Sequence, residues 1–416
     1  MGKNKNFSNP LLESLRLDDA AKGKKAKGYY EDDTNIISYK TGFPALDYKL
    51  GHKVFVIDDK GEKTDYLNLG ITSGSYVCLM GKPGGGKTSI GIQIGANIIK
   101  PFEAGIVIHI DCEGATDYTR VQSLTKIPLS ILRDRYILRQ TKISLSDLKA
   151  MIIDVYKQKI NNKDQYSYDT GKKNVFGEEI IMLQPTVVIL DSWATLGSGI
   201  DGKTIEEASE IMSQTDKMRL TGEIGRFINE LLPVLKEANI ILIAINQIKT
   251  KPDMGVVHSP GMILGLKPDE APAAGWAPLF NAQILIRCTG MSSDKFTMAD
   301  DGFTGFGVKL DLIKSRVSAA GESCILVFDR NTGIDPIRST VHLVKEIGML
   351  EGNRAHYHFK GYNTTFSQKN MLEDFANKPE LMQEMKEIVD PVLKSYIGNI
   401  YQEEINNNII YSLYDE

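Results

Sequence analysis

Cysteine is scarce in this chain of 416 residues: Cys78, Cys112, Cys288 and Cys324 lie far apart and no Cys-x-x-Cys pair occurs. That spacing supports neither a disulfide framework nor a zinc site and reads as reduced, buried thiols in a cytosolic protein. Long apolar runs are missing too. None approaches the ~18 residues that a membrane helix needs, and runs such as Ile240 to Ile245 are strand-sized. The start, Met1 to Asn6, lacks the apolar stretch of a signal peptide. Asn6 stands where a myristoylation signal wants Ser or Thr. Charge of one sign is also lacking: the net −4 excludes a uniformly basic nucleic-acid binder while leaving room for local basic patches. His356 and His358, two apart, would share a face of a strand, but no cysteine or carboxylate cluster accompanies them. What is present, 42% hydrophobic and 25% charged residues, is ordinary for a globular chain and rules out a disordered or fibrous one.

From Ile36 onward, short apolar runs alternate with amphipathic stretches. Tyr76 to Met80, Ile106 to Ile110, Thr186 to Leu190 and Ile240 to Ile245 read as strands; Thr88 to Ile99 and Glu223 to Glu237 read as helices. Strands apolar on both faces and alternating with helices predict an α/β fold, a mostly parallel sheet with helices on both faces. Val308 to Ile313 and Cys324 to Phe328 are two further strand candidates. The polar stretch Lys157 to Glu179 reads as a surface insertion. Before Ile36, Leu11 to Leu17 predicts a short amphipathic helix, and the lysine run Lys22 to Lys27 a solvated linker.

Gly81-Lys82-Pro83-Gly84-Gly85-Gly86-Lys87-Thr88 is a complete GxxxxGK[ST] pattern between a predicted strand and a predicted helix. Glycines let successive backbone N–H groups curl round phosphate oxygens without Cβ clashes. Lys87 would add a point charge, Thr88 a hydroxyl ligand for Mg²⁺, and the helix that follows, from Thr88 and Ser89 on, its dipole. Asp191 ends the apolar run Val187 to Leu190 and would meet the metal at the carboxyl edge of the sheet. Glu113 follows another strand; it reads either as a general base or as a capping, solvated carboxylate. Asn246-Gln247 ends a third, and a neutral amide there reads either as a γ-phosphate sensor or as ordinary loop polarity.

Taken in order, Thr41-Gly42-Phe43-Pro44-Ala45-Leu46-Asp47, the phosphate loop, Ile110-Asp111-Cys112-Glu113, Leu190-Asp191-Ser192, Ile245-Asn246-Gln247-Ile248-Lys249 and Ile313-Lys314-Ser315-Arg316 resemble the RecA family of homologous-recombination ATPases, phage-encoded members included. Val344 to Leu350 is similar to the family's C-terminal segment, so the resemblance spans roughly residues 36 to 395. It implies a RecA-like P-loop ATPase core over 36–335, an N-terminal helical polymerisation arm with a basic linker over 1–35, and a small C-terminal α+β domain with an acidic tail over 336–416.

The resemblance also implies roles. Glu113 would activate water, Gln247 would sense the γ-phosphate, and Lys314 and Arg316 would reach a neighbouring subunit's ATP. Asp117 and Arg120 fall where the family contacts adenine, and Phe328 where an aromatic packs against it. ATP and Mg²⁺ are the implied cofactors. Single-stranded DNA, homologous duplex DNA, copies of the same chain in a helical filament, and single-strand-binding and loader proteins are the implied partners, in a bacterial or phage-infected cytoplasm. Two DNA loops are expected, at about Leu196 to Lys217 and Lys249 to Gly275, with scattered cations (Lys203, Lys217, Lys249, Lys251, Lys267) and an apolar tip at Met262 to Leu264. The stretch between Glu113 and Asp191 exceeds the bacterial pattern, and Val54 to Asn68 is also inserted, as suits a phage-encoded recombinase. Two other functions share such a core: a hexameric helicase, and a non-catalytic recombination mediator.

Overall fold

The computed structural model describes residues 36–57, 63–174, 177–197, 204, 205, 207, 213–250, 264–291, 305–318 and 320–396. The expected polymerisation arm, the lysine run, most of the first DNA loop, the segment 251–263 of the second and the acidic tail lie outside the described residues.

A ten-stranded sheet organises the rest. At its centre six strands run parallel, in the order Ile284–Gly290, Tyr76–Gly81, Ile240–Thr250, Thr186–Asp191, Ile106–Asp111 and Tyr136–Arg139. Beyond Ile284–Gly290 the sheet continues antiparallel through Phe306–Ser315, Ser323–Asp329 and Gly333–Asp335. Glu270–Pro272 pairs antiparallel with the far end of Ile240–Thr250.

The side-chain period of two divides each central strand between two cores. Val77, Leu79, Val187 and Ile189 face the helix Lys87–Ile99, whose Ile90 and Ile94 lie in the same cluster. Tyr76, Cys78, Met80, Val188 and Leu190 face the helices Gln214–Glu237 and Leu145–Asn161. Every position of Tyr76–Gly81 and Thr186–Asp191 is buried, which is why these strands read as unbroken apolar runs. All four cysteines are buried and unpaired. Among the described residues no helix is long and apolar enough to cross a membrane.

Two expectations are adjusted by the structure. The strand from Ile240 does not end at Gln247 but runs to Thr250, because Glu270–Pro272 supplies backbone partners past that point. The stretch Lys157 to Glu179 is not a plain surface insertion. It completes the helix Leu145–Asn161, adds the turn of helix Lys163–Tyr166 and opens a hairpin of Ser167–Lys173 with Glu179–Leu183. Tyr168 roots that hairpin in the core, its phenol 2.8 Å from that of Tyr39 and its ring 4.9 Å from Phe102. The inserted residues near Val54 form a second hairpin, His52–Ile57 with Lys63–Asn68.

Past Asp335, which caps the helix Pro336–Glu346, a three-stranded sheet (Leu350–Asn353, His356–Phe359, Thr365–Phe366) packs with the helices Met371–Asn377 and Glu380–Tyr396. Phe359, Phe366, Phe375 and Leu381 build a separate apolar cluster there. His356 and His358 stand on one face of its middle strand, His358 Nε2 3.4 Å from Glu351.

Candidate active site

Parallel strands deliver their carboxyl ends to one edge of a sheet, and register shows which residues meet there. Gln247 is level with Gly81, and Asp191 with Asp111. The phosphate loop, Glu113, Asp191 and Gln247, separated by up to 166 positions from Gly81 to Gln247, thus share one rim.

Within the loop, Gly84 and Gly86 both adopt φ of +75°, the left-handed region open to glycine at little cost. A Cβ on Gly86 would also stand 3.0 Å from the Phe328 ring, and one on Gly81 would stand 2.3 Å from the Cys288 carbonyl oxygen. Close approach as well as curvature therefore demands glycine. Gly86 precedes the helix Lys87–Ile99 without offering a side-chain cap, so the first helical N–H groups face the concavity of the loop. Lys87 Nζ donates to the carbonyl of Lys82 at 2.8 Å, and burial lowers the pKa of its ammonium.

Thr88 Oγ1 donates to Asp191 Oδ2 at 2.5 Å. Burial pushes the Asp191 carboxyl up to about 6, against the Thr88 hydrogen bond and the charge of Lys87, with Glu113 and Asp111 adding to the rise. A hydroxyl and a carboxylate, converging beside a phosphate-binding loop, are the oxygen ligands that a hard cation such as Mg²⁺ takes. The donor set fits a Mg²⁺–nucleotide: Thr88 and Asp191 for the metal, Lys87 and the backbone of Gly84, Gly85 and Gly86 for the phosphates.

Glu113 is exposed, and its Oε1 accepts from Gln247 Nε2 at 2.9 Å and from Ser192 Oγ at 3.4 Å. Asp111 shapes the turn that presents it. Its Oδ1 accepts from the N–H groups of Glu113 (3.1 Å) and Gly114 (2.9 Å), and its Oδ2 from that of Thr116 (2.7 Å). The structure thereby brings together the two residues whose sequence reading was left open.

Asp117 caps the helix Tyr118–Thr125 by accepting from the Arg120 N–H at 2.6 Å. The Arg120 guanidinium spans from Ser89 Oγ (3.1 Å) to the carbonyls of Arg330 (2.8 Å) and Asn331 (2.9 Å). It ties the phosphate-loop helix to the turn after Ser323–Asp329. Phe328 is buried under Gly86 and stacks at 4.9 Å on Phe306. Lys314 and Arg316 are not brought to this rim. Ser315 pairs with Ile284, itself level with Val77. At ~3.3 Å per residue that lies roughly 13 Å below Gly81, at the other edge of the sheet. Lys314 Nζ there donates to the Phe280 carbonyl at 2.7 Å.

Sequence reasoning missed Glu270 and Arg287. Their ion pair is bidentate, at 2.8 and 2.9 Å, with the Glu270 side chain only 1% exposed, and Lys82 Nζ lies 3.7 Å from the same carboxylate. Thr250 pairs with Glu270, so the pair fastens both roots of the segment 251–263 beside the phosphate loop. Nothing in the spacing of the two residues signals this; strand pairing alone makes them neighbours.

No family model matches the chain. Among curated proteins it is similar to Protein RecA of Wolbachia pipientis subsp. Culex pipiens (strain wPip), 21% identical over 347 residues, which cover 82% of each chain. It is 23% identical over 324 residues to Protein RecA of Mycoplasma pneumoniae, covering 77% of this chain and 80% of that one. It is 22% identical over 324 residues to Protein RecA of Nostoc sp. (strain PCC 7120), covering 78% and 76%. These are distant relationships that run through most of the chain.

Proposed function

We propose that the chain is a RecA-type recombinase: a DNA-dependent ATPase that polymerises on single-stranded DNA and pairs it with homologous duplex. The hydrogen bond from Gln247 to Glu113 carries this reading. A phosphate loop with a metal-binding carboxylate supports nucleotide binding alone. A carboxylate beside that loop, held by an amide on the strand that leads into the segment 251–263, links water activation to a second ligand. Distant similarity to RecA proteins supports the same reading.

When bound, Mg²⁺–ATP supplies the scissile phosphoanhydride and the metal that neutralises its charge. Lys87 and the glycine-loop amides bind and orient the phosphates, Thr88 and Asp191 hold the metal, and Glu113 accepts the proton of the attacking water. Gln247 reports phosphate occupancy to the segment that follows Thr250. Lys314 and Arg316, stationed at the opposite sheet edge, act on a neighbouring copy's nucleotide, as arginine fingers do for about 10³–10⁵ in rate. In this reading residues 36–335 form the ATPase core, 1–35 the polymerisation arm and 336–416 a C-terminal domain.

The test is steady-state turnover of the purified chain with Mg²⁺–ATP, with and without single-stranded DNA. The proposal expects strong stimulation by DNA, and DNA binding that is tightened by a non-hydrolysable ATP analogue. Equal turnover in both arms would overturn it.

A further inference from the structure

The strand Ile284–Gly290 lies against the base of the phosphate loop. Its Cys288 carbonyl oxygen would stand 2.3 Å from a Cβ on Gly81 and 3.3 Å from one on Gly85. Arg287, the residue before, is level with Met80. Its guanidinium holds Glu270 through both carboxylate oxygens, at 2.8 and 2.9 Å, and donates as well to the Gly265 carbonyl. Glu270 Oε2 also accepts from the Lys267 N–H at 3.0 Å. On its other side Glu270 pairs with Thr250, and the Ala273 N–H donates to the Gln247 carbonyl at 2.8 Å. Residues 265–273 are thus pinned between the strand that touches the phosphate loop and the strand that carries Gln247.

Lys82 is the loose member of this cluster. Glu270 Oε2 accepts from Arg287 and from Lys267, whereas Oε1 accepts from Arg287, and it is Oε1 that Lys82 Nζ faces at 3.7 Å. That is too long for a hydrogen bond, so charge alone holds the ammonium there. The Arg287 and Glu270 side chains are 12% and 1% exposed, against 55% for Lys82. A buried, forked ion pair is costly to break. An exposed ammonium beside a carboxylate that a guanidinium already neutralises moves easily. Lys82 also belongs to the phosphate loop, where its own carbonyl accepts from Lys87 Nζ at 2.8 Å. Its ammonium therefore lies between two partners, a neutralised carboxylate and the multiply charged phosphates that such a loop holds.

We propose that Lys82 is a counter-ion shared between Glu270 and the phosphates of a bound nucleotide, so that occupancy of the loop is felt at the ion pair that pins residues 265–273. The inference rests on the reading of the loop as a nucleotide site, and it adds a coupling route that bypasses the hydrogen bond from Gln247 to Glu113. Coupling is reciprocal: whatever strengthens the hold of Glu270 on Lys82 weakens nucleotide binding, and whatever loosens it strengthens binding. Glu270 and Arg287 are positioning residues in this scheme, since they act on the phosphates only through Lys82.

The experiment is a double-variant cycle on the full chain, read by isothermal titration as affinity for a non-hydrolysable ATP analogue with Mg²⁺. Lys82→Met is expected to weaken binding about fivefold, the upper end for a half-exposed charge pair, and Lys82→Arg to keep the wild-type value. Glu270→Gln, which frees Lys82, is expected to tighten binding about twofold to fivefold. The decisive arm is Glu270→Gln in the Lys82→Met background, where that gain disappears. Removing a carboxylate also makes the field at the loop more positive, but this effect is the same with and without Lys82. Equal gains in both backgrounds therefore overturn the inference, as does unchanged binding in Lys82→Met. Glu270→Gln leaves the Arg287 charge without its partner, so Glu270→Gln/Arg287→Leu, which removes both, repeats the cycle, with thermal unfolding as the check on the fold. Weaker binding in a Glu270 variant that unfolds at the wild-type temperature overturns the inference too. A wild type that binds no nucleotide overturns both the inference and the reading beneath it. If the cycle closes as expected while single-stranded DNA leaves turnover unchanged, the recombinase reading falls and the shared counter-ion stands.

Discussion

Gln247 Nε2 lies 2.9 Å from Glu113 Oε1, across 134 positions of sequence, and so joins that exposed carboxylate to the strand that runs to Thr250. An amide that holds a carboxylate here can exchange it for a phosphate oxygen there. Under the proposed function, each state of the nucleotide then sets a different position for Gln247. Glu113→Gln retains nucleotide binding and lowers turnover by about 10²–10⁴, the usual contribution of a general base. Gln247→Ala keeps nucleotide binding but removes the strengthening of DNA affinity by an ATP analogue. DNA titrations with and without the analogue, on both variants and their double, measure the coupling directly.

Thr88 and Asp191 form the other tight pair of the site. Thr88→Val keeps the shape of the helix start and removes the hydroxyl. Its expected signature is a raised Mg²⁺ requirement for nucleotide binding, with metal-independent binding little changed. Lys87→Ala is expected to abolish nucleotide binding altogether, since the loop then lacks its only buried ammonium. Isothermal titration at several Mg²⁺ concentrations separates the two outcomes.

Gly86 is constrained twice, by its φ of +75° and by the Phe328 ring 3.0 Å from the site of a Cβ. Gly86→Ala should weaken nucleotide affinity by about fivefold to a hundredfold or more, from a strain of order 1–3 kcal/mol. Trimming Phe328 to Leu relieves the contact but not the backbone conformation, so the double variant recovers only part of the loss. Full recovery would show that crowding alone fixes glycine here.

Much of this architecture is legible in the sequence because buried parallel strands are apolar at every position. Tyr76 to Met80 and Thr186 to Leu190 therefore announce themselves, and the residues just past their ends, Gly81 and Asp191, fall at the site. Tyr136–Arg139 is less legible, since this edge strand is only four residues long and Arg139 ends its apolar run after three. The inserted hairpin hides for a related reason. Ser167, Asp169, Gly171 and Lys173 face outward, and of the half-buried alternate positions Tyr168 packs against the core. Glu270 with Arg287 could not be read at all, because their contact depends on how Ile284–Gly290 lies beside the strand that carries Gly81.

Lys159 gives a prediction independent of any ligand. It is 2% exposed, and its Nζ donates to the carbonyls of Gln184 (2.7 Å) and Asn239 (3.3 Å) and to Thr186 Oγ1 (3.4 Å), all neutral oxygens. Burial pulls its ammonium down from 10.5 to about 7. Between those two values the unfolded chain binds a proton that the folded chain does not, so stability contributed here rises with pH. It is fully present above the unfolded value and is lost as pH falls through about 7. The slope in the window is at most about 1.4 kcal/mol per pH unit. Lys159→Met removes the titrating group but leaves two carbonyls with one partner fewer. The variant should therefore be less sensitive to pH from 7 to 9 while losing about 1–3 kcal/mol at the alkaline end. Urea unfolding at pH 6, 7.5 and 9 checks the sign. A wild-type curve that falls with pH in this window, parallel to that of the variant, would show that the ammonium stays charged inside the fold.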